Sequence, residues 1–260
     1  MDLDLKNKVV LITGGASGIG AAIVRSVVCE GAIAVIADRC TELPPALQEE
    51  LRALGAKTHL VSGDLTLIEN CKRAVDTATA EFGRIDALVN NAGVNDRIGL
   101  EHGSPEAYVA SLQRNLLHYY NMAFYALPAL KKSSGSIVNI ASKTAITGQG
   151  DTSGYASAKG AILALTREWA VELAPYGIRS NAVVPAEVMT PLYRSWLQTF
   201  PNPDDKLADI ISRIPLGNRM TTPDEIASMV TLLISGKASH ITGQHLYVDG
   251  GYVHLDRAAP

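Results

Sequence analysis

Tyr155 and Lys159 are the residues whose types and spacing point most directly to chemistry. They lie four positions apart in the segment 154–174, which predicts a long helix with both side chains on one face. A free phenol, with a pKa of about 10, stays protonated at neutral pH, but a nearby ammonium group favours the phenolate. Such a pair can act as an acid/base, although exposed helix pairs with this spacing are common.

Ser142 supports a catalytic role for Tyr155 and Lys159. It follows an apolar run at 136–141, which predicts a strand. Ligands of open parallel sheets bind at the carboxyl ends of the strands. We therefore expect the Ser142 hydroxyl to hold a reacting substrate oxygen beside Tyr155, so that an alcohol or carbonyl group exchanges a proton there.

A glycine-rich turn follows the first apolar run and predicts a dinucleotide site. It reads Thr13-Gly14-Gly15-Ala16-Ser17-Gly18-Ile19-Gly20, and a helical segment continues to Cys29. Glycines let the backbone approach a pyrophosphate, and a helix N-terminus offers free N–H groups to it. Such turns often serve packing alone, but a strand before, a helix after and an acid at the end of the next strand favour the cofactor.

That acid, Asp38, predicts which nicotinamide nucleotide is bound. A carboxylate there can accept hydrogen bonds from the adenosine ribose of NAD and repels the 2′-phosphate of NADP. The neighbouring Arg39 could instead pair with that phosphate. Since the glycine turn contains no basic residue, we predict NAD and leave NADP open. Asp64 is expected at the adenine edge, or else to be a solvated loop acid.

Seven short runs rich in Val, Ile and Leu alternate with helix-like segments. The runs are Lys8–Thr13, Ile33–Ala37, Thr58–Ser62, Asp86–Asn90, Ser136–Ala141, Ile178–Val184 and His245–Val248. This alternation predicts a parallel sheet, and runs that are apolar throughout predict helices on both sheet faces. We expect an α/β fold, a single-domain doubly wound Rossmann fold over residues 1–260. Residues 187–215, rich in aromatic residues and proline, form either a substrate lid or a packed surface helix pair.

Composition limits the partners of the chain. Of 260 residues, 47% are hydrophobic and 19% charged, and the net charge of −3 argues against nucleic-acid and anionic-membrane partners. The longest uncharged stretch, 9–24, is interrupted by glycines and is too short for a membrane helix. The acidic N-terminus is unlike a secretory signal, so we expect a cytoplasmic location. No cysteine or histidine spacing predicts a metal site.

These motifs, in this order, resemble the short-chain dehydrogenase/reductase family over essentially the whole chain. The resemblance rests on Thr13-Gly14-x-x-x-Gly18-x-Gly20, Asn90-Asn91-Ala92-Gly93, Asn115, Ser142, Tyr155-x-x-x-Lys159 and Asp249-Gly250-Gly251. It implies proton transfer by Tyr155, a lowered Tyr155 pKa and ribose binding through Lys159, substrate orientation by Ser142, a water relay at Asn115, and a homotetramer. The family's Pro-Gly step is Pro185-Ala186 here, which weakens the expected contacts from the Val188 backbone and Thr190.

The predicted sites can be stated residue by residue. The expected cofactor contacts are Gly14, Ser17, Gly18, Ile19, Gly20, Asp38, Arg39, Asp64, Leu65, Asn91, Gly93, Tyr155, Lys159, Val188 and Thr190. The expected substrate contacts are Asn95, Ser142, Lys143, Gln149, Tyr155 and Glu187, although some of them could point to solvent.

Within the family, the chain resembles the L-fucose (aldose) dehydrogenases. That resemblance rests on Asn91-Ala92-Gly93-Val94-Asn95-Asp96, Ser142-Lys143-Thr144-Ala145, Gly148-Gln149-Gly150 and Pro185-Ala186-Glu187-Val188-Met189-Thr190-Pro191. It implies oxidation of the anomeric carbon of a free sugar to a lactone, and the polar residues flanking the site suit several hydroxyls. The alternatives are a dehydrogenase or reductase of another secondary alcohol or carbonyl (3-oxoacyl, steroid or polyol) and a non-catalytic NAD-binding regulator.

Overall fold

A computed structural model of the chain describes residues 2–255. It contains one seven-stranded sheet in the order β3-β2-β1-β4-β5-β6-β7, and every pair of neighbours is parallel. The strands are β1 (Val9–Thr13), β2 (Ile33–Asp38), β3 (Thr58–Ser62), β4 (Ala87–Asn90), β5 (Ser136–Ile140), β6 (Arg179–Pro185) and β7 (His245–Val248). The predicted seven-stranded parallel sheet is confirmed, with strand ends shifted by a residue or two.

The α-helices lie between the strands and cover both faces of the sheet. They are α1 (Gly18–Cys29), α2 (Pro45–Ala53), α3 (Ile68–Phe82), α4 (Pro105–Leu112), α5 (His118–Ser133), α6 (Ser153–Leu173), α7 (Pro191–Leu197), α8 (Pro203–Ile211) and α9 (Pro223–Ile234). A π-helical segment, Gln113–Leu117, joins α4 to α5. The catalytic helix predicted at 154–174 is α6.

Two hydrophobic cores form because side chains alternate along each strand. On β1, Val9 and Leu11 point into the core covered by α3, α5 and α6. Val10 and Ile12 point into the opposite core, which α1, α2 and α9 cover. All four side chains are almost fully buried. The doubly wound arrangement therefore follows from strands that are apolar on both faces, as predicted.

The excursion at 187–215 holds two short helices, α7 and α8. Its aromatic side chains form a series in which the Tyr193 and Trp196 ring centroids are 5.0 Å apart and those of Trp196 and Phe200 are 4.9 Å apart. Leu197 and Ile210 are buried. The packed helix pair is therefore present, and movement of this segment as a lid stays a prediction.

No helix among residues 2–255 is long and apolar enough to cross a membrane. Within the same range, no group of three or more His, Cys, Asp or Glu side chains is arranged to hold a metal ion.

Candidate active site

The amino-terminal part of α6 brings Tyr155 and Lys159 to the carboxyl end of β5. Lys159 is buried, and its Nζ lies 2.7 Å from the Ile140 carbonyl oxygen and 2.9 Å from the Tyr119 hydroxyl. The same Nζ is 5.5 Å from the centroid of the Tyr155 ring. The predicted one-face arrangement is present, and β5 and α5 together anchor the ammonium group.

Ser142 lies immediately after β5 and contacts Tyr155. It begins the 3₁₀ turn Lys143–Ala145, where its Oγ accepts a hydrogen bond from the Thr144 backbone N–H at 3.3 Å. Its side chain also hydrogen-bonds that of Tyr155, an interaction that favours the phenolate. The turn therefore fixes the Ser142 hydroxyl where a substrate oxygen can meet both side chains.

The protonation of this pair differs from the sequence-based expectation. Burial raises the pKa of Tyr155 to about 12 and lowers that of Lys159 to about 7. The Ser142 hydrogen bond lowers the Tyr155 pKa, but less than burial raises it, and the charge of Asp96 raises it further. Lys159 is not among the groups that shift the pKa of Tyr155 here, and its Nζ is bonded to Tyr119 and Ile140.

Asn115 lies in the π-helical segment and is fully buried. Its Oδ1 accepts a hydrogen bond from the Val94 backbone N–H at 2.7 Å, and its Nδ2 donates to the Ser111 carbonyl oxygen at 3.1 Å. A Cβ added to Gly93 would lie 3.0 Å from Asn115 Oδ1 and 3.6 Å from Lys159 Nζ. The structure therefore brings Gly93, Asn115 and Lys159 together, and π-helical segments often occur at functional sites.

The glycine turn between β1 and α1 has the close packing that a dinucleotide site requires. A Cβ added to Gly20 would lie 1.9 Å from the Gly14 carbonyl oxygen, so only glycine fits there. Asn91 donates to the carbonyl oxygens of Thr13 and Gly14 at 3.0 and 3.1 Å. Asn91 therefore ties the end of β4 to the turn, and its contact with the cofactor stays a prediction.

The start of α1 is suited to bind a pyrophosphate. Ser17 precedes the helix in an extended conformation, and its side chain caps none of the first backbone N–H groups. Free N–H groups at a helix N-terminus bind phosphates. Thr190 borders the same turn, because its Cγ2 would lie 3.4 Å from a Cβ added to Gly18. The Thr190 N–H donates to the carbonyl oxygen of the buried Val188 at 2.8 Å. Residues 14–20 therefore fit a nicotinamide dinucleotide.

Asp38 is the last residue of β2 and also supports the glycine turn. Its Oδ2 accepts a hydrogen bond from the Ala16 backbone N–H at 3.0 Å, and its Oδ1 accepts one from Cys40 at 3.3 Å. Arg39 is exposed, and its charge helps to lower the pKa of Asp64. The carboxylate charge is thus held at the position predicted for the adenosine ribose.

Asp64 and Leu65 have local structural partners. Asp64 Oδ1 accepts hydrogen bonds from the backbone N–H and hydroxyl of Thr66 at 2.9 and 2.8 Å, which are the main causes of its lowered pKa. The Leu65 side chain is buried in the core, and its carbonyl oxygen accepts a hydrogen bond from the Cys71 thiol. Contacts of either residue with adenine stay predictions.

The substrate side of the site contains a nearly buried ion pair. Lys143 Nζ contacts Glu187 Oε1, and the two side chains are only 9% and 13% exposed. Glu187 also hydrogen-bonds the Tyr193 side chain on α7, and Lys143 Nζ lies 4.1 Å from the centroid of the Tyr252 ring. Residues that follow β5, β6 and β7 therefore form one polar wall beside Ser142.

The other two predicted sugar contacts lie in loops. Asn95 is half-buried, and its Oδ1 accepts a hydrogen bond from the Arg97 N–H at 3.2 Å. Gln149 is exposed and lines a surface depression of about 290 Å³ together with other residues of the segment 144–153. Their roles in substrate recognition stay predictions.

Sequence reasoning missed Tyr193, Tyr252 and Asp96. Tyr252 follows the predicted last strand, and its place at a strand's carboxyl end is a signal that could have identified it. Tyr193 lies on α7 in the aromatic-rich segment 187–215, and that composition is a signal that could have identified it. Asp96 carries no comparable signal, because its contacts depend on the geometry of the loop after β4.

Comparison with known proteins agrees with this geometry. A family model described as enoyl-(acyl carrier protein) reductase matches residues 14–253. The chain is 36% identical to the 3-oxoacyl-[acyl-carrier-protein] reductase FabG of Thermotoga maritima, over 96% of this chain and 99% of the relative. It is also 36% identical to L-fucose dehydrogenase of Bos taurus, over 94% of this chain and 88% of the relative.

The crystal structure of Cj0485 dehydrogenase superimposes with a TM-score of 0.96 at 50% identity, covering 99% of this chain and 98% of that one. The glycine turn, the catalytic set at the strand ends and these similarities lead to one conclusion: this chain belongs to the short-chain dehydrogenase/reductase family and is an oxidoreductase.

Proposed function

We propose that the protein oxidises the anomeric hydroxyl of a free aldose, L-fucose or a close stereochemical relative, to the lactone, with NAD as the preferred cofactor. The observation that carries this proposal is the buried Lys143–Glu187 ion pair next to Ser142. It supplies a cationic donor and an anionic acceptor at the place where a substrate must lie.

A polar wall of this kind discriminates among substrates. A sugar hydroxyl can donate to the Glu187 carboxylate or accept from the Lys143 ammonium, as water would. A hydrophobic alcohol would exclude water from this ion pair without offering it a hydrogen bond, at a cost of about 1 to 3 kcal/mol for each donor or acceptor position left unsatisfied. Sites that pair with each substrate hydroxyl therefore reject analogues that lack one.

The proposed chemistry assigns one task to each catalytic residue. Ser142 holds the anomeric oxygen by hydrogen bonding, and Tyr155 takes the proton from that oxygen. Lys159, anchored by the Tyr119 hydroxyl and the Ile140 carbonyl oxygen, would hold the nicotinamide ribose, and Asn115 supports the relay that carries the proton onward. Residues 14–20 would hold the pyrophosphate of a nicotinamide dinucleotide, and that cofactor would supply the hydride acceptor for the anomeric carbon.

The cofactor preference rests on Asp38. Its carboxylate is fixed by the backbone N–H groups of Ala16 and Cys40, so it cannot easily move away from a 2′-phosphate. The repulsion favours NAD over NADP.

Two further proposals concern location and assembly, and of these the homotetramer is what the resemblance implies. We place the enzyme in the cytoplasm as a homotetramer, and assembly can be measured by light scattering. Exposed hydrophobic side chains on α5, those of Tyr120 and Phe124, support association of subunits.

A substrate panel tests the proposal. Initial rates of NADH formation are compared for L-fucose, its epimers and hydrophobic secondary alcohols, with reduction of a 3-oxoacyl thioester measured alongside. We expect kcat/KM to be highest for L-fucose or one epimer, and to fall roughly tenfold for each mismatched hydroxyl. Efficient turnover of the thioester or the hydrophobic alcohols, with no sugar oxidised, would instead support the similarity to 3-oxoacyl reductases.

A further inference from the structure

A second charged pair, Asp96 and Arg114, interacts with the proposed catalytic residues. Asp96, in the loop that follows β4, receives hydrogen bonds from the Arg114 guanidinium at 2.7 and 3.2 Å and from the Ser111 hydroxyl at 2.8 Å. The Asp96 side chain is 11% exposed and the Arg114 side chain 42%. Asp96 is therefore held by partners on both of its carboxylate oxygens.

Ser111 connects this pair to two parts of the catalytic site. It is fully buried, and its carbonyl oxygen and hydroxyl both accept hydrogen bonds from Asn115 Nδ2, at 3.1 and 3.4 Å. A Cβ added to Gly154, the residue before Tyr155, would lie 2.5 Å from Ser111 Oγ. Rotation of Ser111 away from Asp96 would therefore disturb both Asn115 and the start of α6.

The loop that carries Asp96 also touches α6 directly. The Gly154 backbone N–H donates to the Ile98 carbonyl oxygen at 3.1 Å. The Val94 N–H, in the same loop, donates to Asn115. The loop is thus bonded to both sides of the catalytic set.

We propose that Asp96 is a positioning residue, which together with Arg114 orients Asn115 through Ser111 and sets the electrostatic environment of Tyr155. This inference rests on the proposed role of Tyr155 as the acid/base. Neither Asp96 nor Arg114 belongs to the residues to which we assigned a chemical or binding task.

The charged groups around Tyr155 determine how each substitution should shift the pKa of Tyr155. Lys159 on α6, Tyr119 on α5 and Asp96 in the loop are titratable groups that interact with Tyr155, and Ser142 contributes a hydroxyl. The buried His118 packs against Tyr119 and interacts with Lys159. Asp96 raises the pKa of Tyr155. Because Arg114 is paired with Asp96, we expect its positive charge to offset part of that effect. Changes to the two members of the pair should therefore act in opposite directions.

The test compares Asp96→Asn with Arg114→Gln. Asp96→Asn keeps an acceptor for Ser111 but removes the negative charge, so the pH profile of kcat for L-fucose oxidation should move to lower pH, by roughly half a unit or more. Arg114→Gln leaves the Asp96 charge uncompensated, so its profile should move to higher pH. Asp76→Asn, which breaks an exposed pair with Lys72 on α3, should leave the profile in place.

Opposite shifts for the two variants support the inference. Profiles that coincide with the wild type, or that move in the same direction, overturn it. A purely structural role would lower kcat or the melting temperature without moving the two profiles apart.

A second readout needs no turnover. The ultraviolet absorbance of each protein is titrated to alkaline pH with and without the additional substitution Tyr155→Phe. The difference between the two titrations reports ionisation of Tyr155 alone, and the midpoint of that difference should lie at lower pH in Asp96→Asn than in Arg114→Gln. If wild type does not oxidise L-fucose, the proposed function fails, and this measurement still decides the inference. Equal midpoints in the two variants reject it.

Discussion

Breaking the Lys143–Glu187 pair gives the most informative single perturbation. Glu187→Gln keeps the size of the side chain and its hydrogen-bonding capacity towards Tyr193, but it leaves the Lys143 ammonium without its counter-charge. Removing one partner of a buried pair costs about 3 to 5 kcal/mol of unfolding free energy. The Tyr252 ring, 4.1 Å from Lys143 Nζ, retains a cation–π contact, so we expect a loss below that range, about 2 to 3 kcal/mol.

This loss is large enough to measure in several ways. For a chain of this size it corresponds to a fall in melting temperature of roughly 5 to 10 °C. Lys143→Met should be destabilising for the same reason, because it leaves Glu187 alone. The double variant should recover part of the loss, since it contains neither unpaired charge.

The assay is urea unfolding of the wild type, both single variants and the double variant, combined into a double-mutant cycle. Glu49→Gln, in the exposed pair with Arg52, is the matched control and should change little. For L-fucose, each single variant should lose roughly tenfold or more in kcat/KM while its affinity for NAD is unchanged. Additive single effects, or sugar kinetics like those of the wild type, would refute the view that this pair acts as a unit facing the substrate.

Three further predictions follow from the site and its surroundings. Tyr155→Phe should bind NAD normally but lose on the order of 10² or more in turnover, and near-normal turnover would remove Tyr155 from its role. Asp38→Asn keeps an acceptor for the Ala16 N–H but removes the charge, so kcat/KM with NADP relative to NAD should rise about tenfold; a wild type that already prefers NADP would contradict this. Burial lowers the pKa of His118 from 6.5 to about 4, so between these pH values the unfolded chain binds a proton that the folded protein does not. The unfolding free energy should therefore decrease as the pH is lowered from 6.5 to about 4. His118→Gln should flatten this slope in urea unfolding whereas His102→Gln, at an exposed site, should not, and equal slopes in all three proteins would exclude the mechanism.

The sheet and the placement of Tyr155, Lys159 and Ser142 could be predicted from sequence because they depend on local patterns. The apolar runs determine the strands, and the four-residue spacing of Tyr155 and Lys159 determines a shared helix face. Ser142 follows from its place at a strand end. Each of these inferences needs only the residues of one element and its neighbours.

The charged pairs could not be predicted in the same way. Lys143 and Glu187 are 44 residues apart in the chain, and Asp96 and Arg114 are 18 apart. Each pair meets across separate segments, and the loop that carries Asp96 turns through a positive φ of 56° at Arg97. Non-glycine residues adopt that conformation only when their surroundings enforce it.

The balance between the effects that raise and lower the pKa of Tyr155 could not be predicted from the sequence either. A nearby lysine predicts a lower pKa, and that cause is real in principle. The structure shows instead that burial outweighs the other causes and that Lys159 directs its Nζ to Ile140 and Tyr119. Only the depth of the site and the direction of the ammonium group decide which effect prevails.

The central claim, hydride removal from the anomeric carbon of a sugar, is tested most directly with L-fucose deuterated at that carbon. The wild-type enzyme is incubated with this sugar and NAD, and the deuterium content of the NADH and the identity of the sugar product are determined by mass spectrometry. The account predicts deuterium in the NADH and one lactone for each NADH formed. NADH without the label, or no NADH from L-fucose or its epimers while 3-oxoacyl thioesters or hydrophobic alcohols react, would contradict it.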